Sequence, residues 1–151
     1  MGFSFSKLKA AFGGESKPNK PVDTTEKIIA EVENTPFGLS ESNVLFAGLN
    51  ELGGYYFFQT VVVGNFKFKT FDGAKLIMKS NDFEIELDSD TVELESEPTQ
   101  VSKRFITKID FQIEESDINK PQSKRITQII LKTNKGDISF TKYVGQTEEE
   151  E

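Results

Sequence analysis

From Tyr55 onward the chain alternates apolar and polar residues with a period of two, and short turns cut the alternation at regular intervals. Gly64-Asn65, Asp72-Gly73 and Ser80-Asn81 stand eight residues apart. Successive side chains of a strand point to opposite faces, so such alternation predicts half-buried strands. Asp-Gly is among the strongest two-residue hairpin signals. Phe66, Phe68 and Thr70 alternate with Lys67, Lys69 and Phe71; Ala74, Leu76 and Met78 alternate with Lys75, Ile77 and Lys79. Phe83, Ile85 and Leu87 then alternate with Glu84, Glu86 and Asp88. These segments read as an antiparallel meander. Tyr55 to Val63 is aromatic, β-branched and almost continuously apolar, which predicts burial on both faces.

Further strands follow. Val92 and Leu94 begin a short one, and Phe105, Thr107, Ile109, Phe111 and Ile113 share one face of the next. Ile126 to Thr133 and Asp137 to Tyr143 make a hairpin around Asn134-Lys135-Gly136. The expected fold is mainly β, with about eight antiparallel strands that close into a barrel or a two-sheet sandwich to protect their edges. One or two short N-terminal helices precede them. Asp23 and Glu26 have the spacing of a capping box, and Ile28, Ile29 and Val32 make an apolar face before Asn34 and Pro36. Ser42 to Leu52 fits a helix through Leu45, Leu49 and Leu52, stopped by Gly53-Gly54, and nearly as well a strand through Val44 to Ala47. The pattern resembles lipocalin-like barrels and pleckstrin-homology-like domains in architecture alone.

Three regions are expected. Residues 1–21 carry Lys7, Lys9, Lys17 and Lys20 against Glu15, and end in Gly13-Gly14, Pro18 and Pro21. They read as a mobile basic-apolar segment and linker. Residues 22–144 form a single β-rich domain, and residues 145–151 an acidic tail expected to be disordered. No apolar stretch of a secretory signal is seen near Met1, and no run of apolar residues is long enough for a membrane-spanning helix.

The chain has no His, Cys or Trp. A Ser-His-Asp triad, a thiolate nucleophile and Cys- or His-ligated metal centres are therefore excluded. The expectation is a protein that is not an enzyme and needs no cofactor, in a reducing cytoplasm. A formal net charge of -7 argues against nucleic acid as a partner.

Asp82 to Glu97 holds eight acidic residues and no basic one. Glu84, Glu86 and Asp88 share one strand face. Calcium binding or carboxylate catalysis would need such groups, and the alternation is similar to the catalytic strand of jelly-roll β-glucanases. The residue order departs from that family's pattern, and there is no Trp to stack a sugar. With Lys67, Lys69, Lys75 and Lys79 on neighbouring strands, cross-strand charge pairing is the better reading, and the three carboxylates become a candidate acidic recognition face. The pairs Lys103-Arg104 and Lys124-Arg125 read as solvated strand starts.

At the N-terminus, Phe5, Leu8 and Phe12 fall on one side of a helix, with Lys7 and Lys9 outside that stripe. Phe3, Phe5, Lys7, Leu8, Lys9 and Phe12 are thus the candidate contact with a protein partner or, peripherally, a membrane surface. The functional expectation is a non-enzymatic binding module that docks on a protein or membrane-associated assembly. The alternative is a carrier of a small apolar ligand in a barrel lined by Phe57, Phe66, Phe68, Phe83, Phe105, Phe111 and Phe140.

Overall fold

The computed structural model describes residues 24–31 and 35–143. Residues 1–21, Asp23, Val32, Asn34 and the tail 145–151 lie outside the described residues. The helix expected near residue 24 forms as α1 (Thr25–Glu31). The cap within view is Thr24, whose Oγ1 accepts the Lys27 N–H at 3.1 Å, a bond that satisfies one of the helix's free donors.

The protein is mainly β, as the alternation predicts. The strands are β1 (Gly38–Leu39), β2 (Asn43–Leu52), β3 (Tyr55–Gly64), β4 (Lys69–Thr70), β5 (Ala74–Ser80) and β6 (Glu84–Asp88). They continue as β7 (Leu94–Glu95), β8 (Glu97–Pro98), β9 (Phe105–Ile113), β10 (Ile126–Thr133) and β11 (Gly136–Lys142). Nine of them make one antiparallel sheet in the order β6-β5-β10-β11-β1-β2-β3-β9-β8. The sheet curls into a half-barrel, and β4 and β7 form a small second sheet. Its two ends meet where Ser89, just past β6, bridges Phe111 of β9, and the Asp90 N–H donates to the Asp110 carbonyl at 2.7 Å.

Ser42 to Leu52, which fits helix or strand by sequence, is a strand. It pairs with β3 over the full register from Asn43↔Gly64 to Leu52↔Tyr55. Gly53 and Gly54, read by spacing as a helix stop, are the hairpin turn. Both have positive φ, 63° and 87°, the requirement of a two-residue turn that follows strand twist. Gly64 ends β3 where a Cβ would overlap the Ser42 carbonyl oxygen and Asn43.

β3 lies between β2 and β9, so Tyr55 to Val63 is a central strand and its edges are paired. Its second half is buried on both faces. Phe58 and Val62 enter the main core with Leu45, Leu76, Phe111 and Phe140. Val61 and Val63 point outward into a smaller core with Val44, Phe46 and Ile106, covered by Ile28 of α1.

One expected meander strand is not in the main sheet. Of residues 66–71 only Lys69–Thr70 is strand, and it pairs with Leu94–Glu95 instead of β5. The Phe68 N–H donates to Ser96 Oγ at 3.0 Å, and the Phe68 carbonyl accepts from the Ser96 N–H. The Phe66 and Phe68 rings lie 4.7 Å apart over the core. Asp72-Gly73 therefore turns the chain from one sheet to the other. The β5–β6 and β10–β11 hairpins form where the sequence places them.

Arg104 departs from its reading as a solvated strand start. Its side chain is fully buried, and Nη1 donates to Glu31 Oε1 at 2.8 Å. The pair ties the end of α1 to the start of β9. A guanidinium taken from water needs such a partner. Glu31→Ala is expected to lower stability by about 1–3 kcal/mol in urea unfolding, whereas Glu26→Ala, on the exposed side of the same helix, changes it by less than about 0.5 kcal/mol.

Candidate functional site

At the free end of the β2–β3 hairpin, Leu52 and Tyr55 face each other across the last rung before the turn. They are 69% and 72% exposed, the largest values among the exposed large hydrophobic residues described. Beside them lies a cleft of about 590 Å³ lined by Gly54–Phe57 on β3's side and by Asp90 and residues 112–115 on the other. The register explains why these meet: Tyr56 pairs with Ile113 and Phe57 with Gln112. Asp90 is brought in by the closure at Ser89, and Gln112 Nε2 donates to its Oδ1 at 2.9 Å.

The rim is acidic. Glu114, Glu115 and Asp90 are exposed, and no lining residue is basic. The field reaches the Tyr56 hydroxyl, whose pKa is raised first by Glu51, then by Glu115, then by burial. Negative charge nearby disfavours a phenolate. Tyr56 and Phe57 beside a carboxylate rim suit a ligand that brings both apolar side chains and cations.

Glu84, Glu86 and Asp88 stand on the exposed face of β6, alternating with buried Ile85 and Leu87. Lys75 Nζ lies 2.5 Å from Asp88 Oδ1 and 3.3 Å from Glu86 Oε2, and its pKa is raised by the Asp88 and Glu86 hydrogen bonds. Glu84 is in register with Lys79. This face is thus bound up in cross-strand pairing with β5. Lys67 and Lys69 are engaged elsewhere, over the rings of Phe105 and Phe71. A groove of about 430 Å³ next to Lys75 has Val92 in its lining; there Lys75 is paired with Asp88, and Asp72 accepts from Asn134 Nδ2 at 2.7 Å. Among the described residues no three acidic side chains converge as a metal would require.

Of the phenylalanines expected to line a cavity, Phe68, Phe111 and Phe140 are inside the main core, and Phe66 and Phe83 pack against it. Phe57 and Phe105 are only half-buried. Phe58 and Phe46, not singled out by sequence, are buried. The N-terminal contact residues Phe3, Phe5, Lys7, Leu8, Lys9 and Phe12 lie outside the described residues.

Sequence reasoning missed Leu52, Tyr55, Phe57, Asp90, Glu114 and Glu115 as a group. The available signal was Tyr55-Tyr56-Phe57 directly after Gly53-Gly54: aromatic residues flanking a tight turn place large apolar area at a hairpin tip.

Two rungs from the cleft, Asp110 is partly buried beside Gln59, Lys108 and Asp90. Its Oδ1 has no hydrogen-bond partner, and its pKa is raised, mainly by burial and also by Asp90, against the lowering influence of Lys108 and Gln59. The folded state therefore holds this proton more tightly than the unfolded chain, and stability falls as pH rises through that interval. Asp110→Asn removes the penalty of the ionised form. Its melting temperature is expected to exceed that of the wild type at pH 7, with the gain shrinking as pH falls toward about 4 and essentially gone below it; thermal melts across pH measure it.

No known protein family, curated protein or solved structure matches the chain.

Proposed function

We propose that the protein is a non-enzymatic binding module that docks on a protein partner through the β2–β3 hairpin tip and its acid-rimmed cleft. The observation that carries this reading is the exposure of Leu52 and Tyr55 side by side. Single exposed apolar residues are ordinary on protein surfaces. A cross-strand pair at a hairpin tip, continuous with a cleft containing Tyr56, Phe57 and Ile113, gives a partner an anchor point and a place to bury it.

The chemistry of the rim defines the partner as a segment bearing apolar residues and Lys or Arg. Phosphate backbones are disfavoured by the same carboxylates and by the net charge of -7. The acidic face of β6 contributes less to recognition than the cleft because Glu86 and Asp88 share an ion pair with Lys75.

The combined variant Leu52→Ser and Tyr55→Ser is expected to melt within a few degrees of the wild type, since both residues are solvent-exposed. In affinity capture from the source cells with quantitative mass spectrometry, a protein retained by the wild type should fall about tenfold or more with this variant. It should persist with Phe71→Ser, which removes an exposed ring at a different place. Identical captured sets from the wild type and the double variant refute the reading.

A further inference from the structure

We propose that the concave face of the sheet carries a second binding site, a pocket for a small carboxylate with an apolar body. The pocket has a volume of about 250 Å³ and lies between β2, the end of β11 and the segment 118–122. It shares no lining residue with the hairpin-tip cleft, so the inference stands apart from the reading of that cleft. The phenylalanines in its wall are Phe37 and Phe58, neither of them singled out by the sequence pattern.

The sequence builds three walls. β2 turns Leu45, Ala47 and Leu49 inward by strand alternation. Leu45 is buried in the main core, whereas Ala47 and Leu49 pack against it and stay half-buried. The single methyl group of Ala47 leaves space that a larger side chain would fill. The second wall is the Phe37 ring, set 5.4 Å from Phe58 in an edge-to-face contact. The Phe37 backbone is held from both sides. Its N–H donates to the Leu45 carbonyl at 2.7 Å, and its carbonyl accepts the Tyr143 N–H at 2.9 Å. Ile118 and buried Pro121 make the third wall. Their segment is fastened by Lys120, whose Nζ donates to Asp117 Oδ1 at 2.7 Å and lies 5.7 Å over the Phe83 ring. Walls fixed in this way are in place before a ligand arrives, as is usual for small-molecule sites.

Lys142 decides the class of ligand. It is in register with Gly38, and Gly38 with Leu45, so its side chain leaves the sheet on the concave face. It stands two residues beyond Phe140 of the core. Its Nζ lies 5.0 Å from the centroid of the Phe37 ring, which places the charge against one wall of the pocket. Among the described residues Lys142 is the one charged group in the lining, and exposed Gln122 adds an amide. An apolar pocket with one ammonium and one amide suits a ligand with a single negative charge at one end. A cationic ligand meets repulsion from Lys142, and a phosphate ester brings more charge and more acceptor oxygens than these two groups can answer. The volume equals that of about eight waters, or roughly ten non-hydrogen atoms at protein packing density. The Phe37 and Phe58 rings favour an aromatic body, which can extend their edge-to-face contact.

Phenylacetate is the probe, with phenylethanol and phenethylamine as its neutral and cationic counterparts. In amide NMR titrations of the full-length protein, phenylacetate is expected to shift Ala47, Leu49 and Ile118 saturably, with a Kd of about 1 mM or tighter. Tyr55 and Gln112 at the hairpin tip should stay in place. Lys142→Met keeps the aliphatic stem and removes the charge; it is expected to weaken phenylacetate about tenfold and phenylethanol by less than about twofold. Ala47→Leu fills the pocket and should abolish both, and the half-buried Lys142 position supplies a variant that keeps the test decisive where Ala47→Leu perturbs folding. Absence of saturable shifts at Ala47, Leu49 and Ile118 overturns the site, as do shifts confined to the hairpin tip. Equal affinity for the three probes, or phenylacetate binding unchanged by Lys142→Met, overturns the carboxylate assignment. Capture through Leu52 and Tyr55 is read separately, so failure here leaves the binding-module reading standing.

Discussion

The sheet can curl only because its most apolar strand is covered on both sides. β3 carries Phe58 and Val62 inward and Val61 and Val63 outward, so half of its apolar surface would face water if the sheet stood alone. α1 covers that outer half with Ile28, and the helix is too short to persist by itself. Its position depends on the apolar contact and on the buried bond between Glu31 and Arg104. Apolar contact is non-directional; the ion pair sets where the helix ends relative to β9. The outward valines, α1 and Arg104 thus form one unit, and each makes sense only with the other two.

Much of the architecture is legible in the sequence, and the misses have common physical causes. Strands with one wet face, such as β5, β6 and β10, show clean alternation and are found. β2 is ambiguous because α1 buries its outer residues, so Val44, Leu45 and Phe46 are all apolar and the period-two signal disappears. Residues 66–71 alternate well, yet most of them are not strand, because Ser96 satisfies the Phe68 backbone from another part of the chain. Local pattern cannot report a partner nearly 30 residues away. Arg104 was misread for the same reason, since its partner Glu31 is 73 residues distant.

The candidate site is less legible in the sequence than the fold. The acidic strand is conspicuous in sequence, but across one hairpin Lys75 pairs with Glu86 and Asp88, and Lys79 stands in register with Glu84. The carboxylates around the cleft come from separate segments: Glu51 from β2, Asp90 from the closure after β6, and Glu114 and Glu115 from the end of β9. Only the antiparallel register of β2, β3 and β9 gathers them. Charge density along a chain and charge density on a surface are different quantities, and here they point to different places.

The pairing of β3 with β9 has a consequence for how the protein is made. β2 and β3 can zip together as soon as both have left the ribosome, because only Gly53-Gly54 separates them. β9 begins at Phe105 and pairs first with Gly64, so about 40 residues must be added before the other edge of β3 is covered. At roughly 5–20 residues per second, that edge stays open for about 2–8 seconds. During this time Val61, Val62 and Val63 sit on an uncapped strand, the kind of segment that recruits a second nascent chain. The newborn polypeptide therefore passes through an interval in which synthesis speed and chaperone access, rather than the stability of the finished sheet, decide its yield.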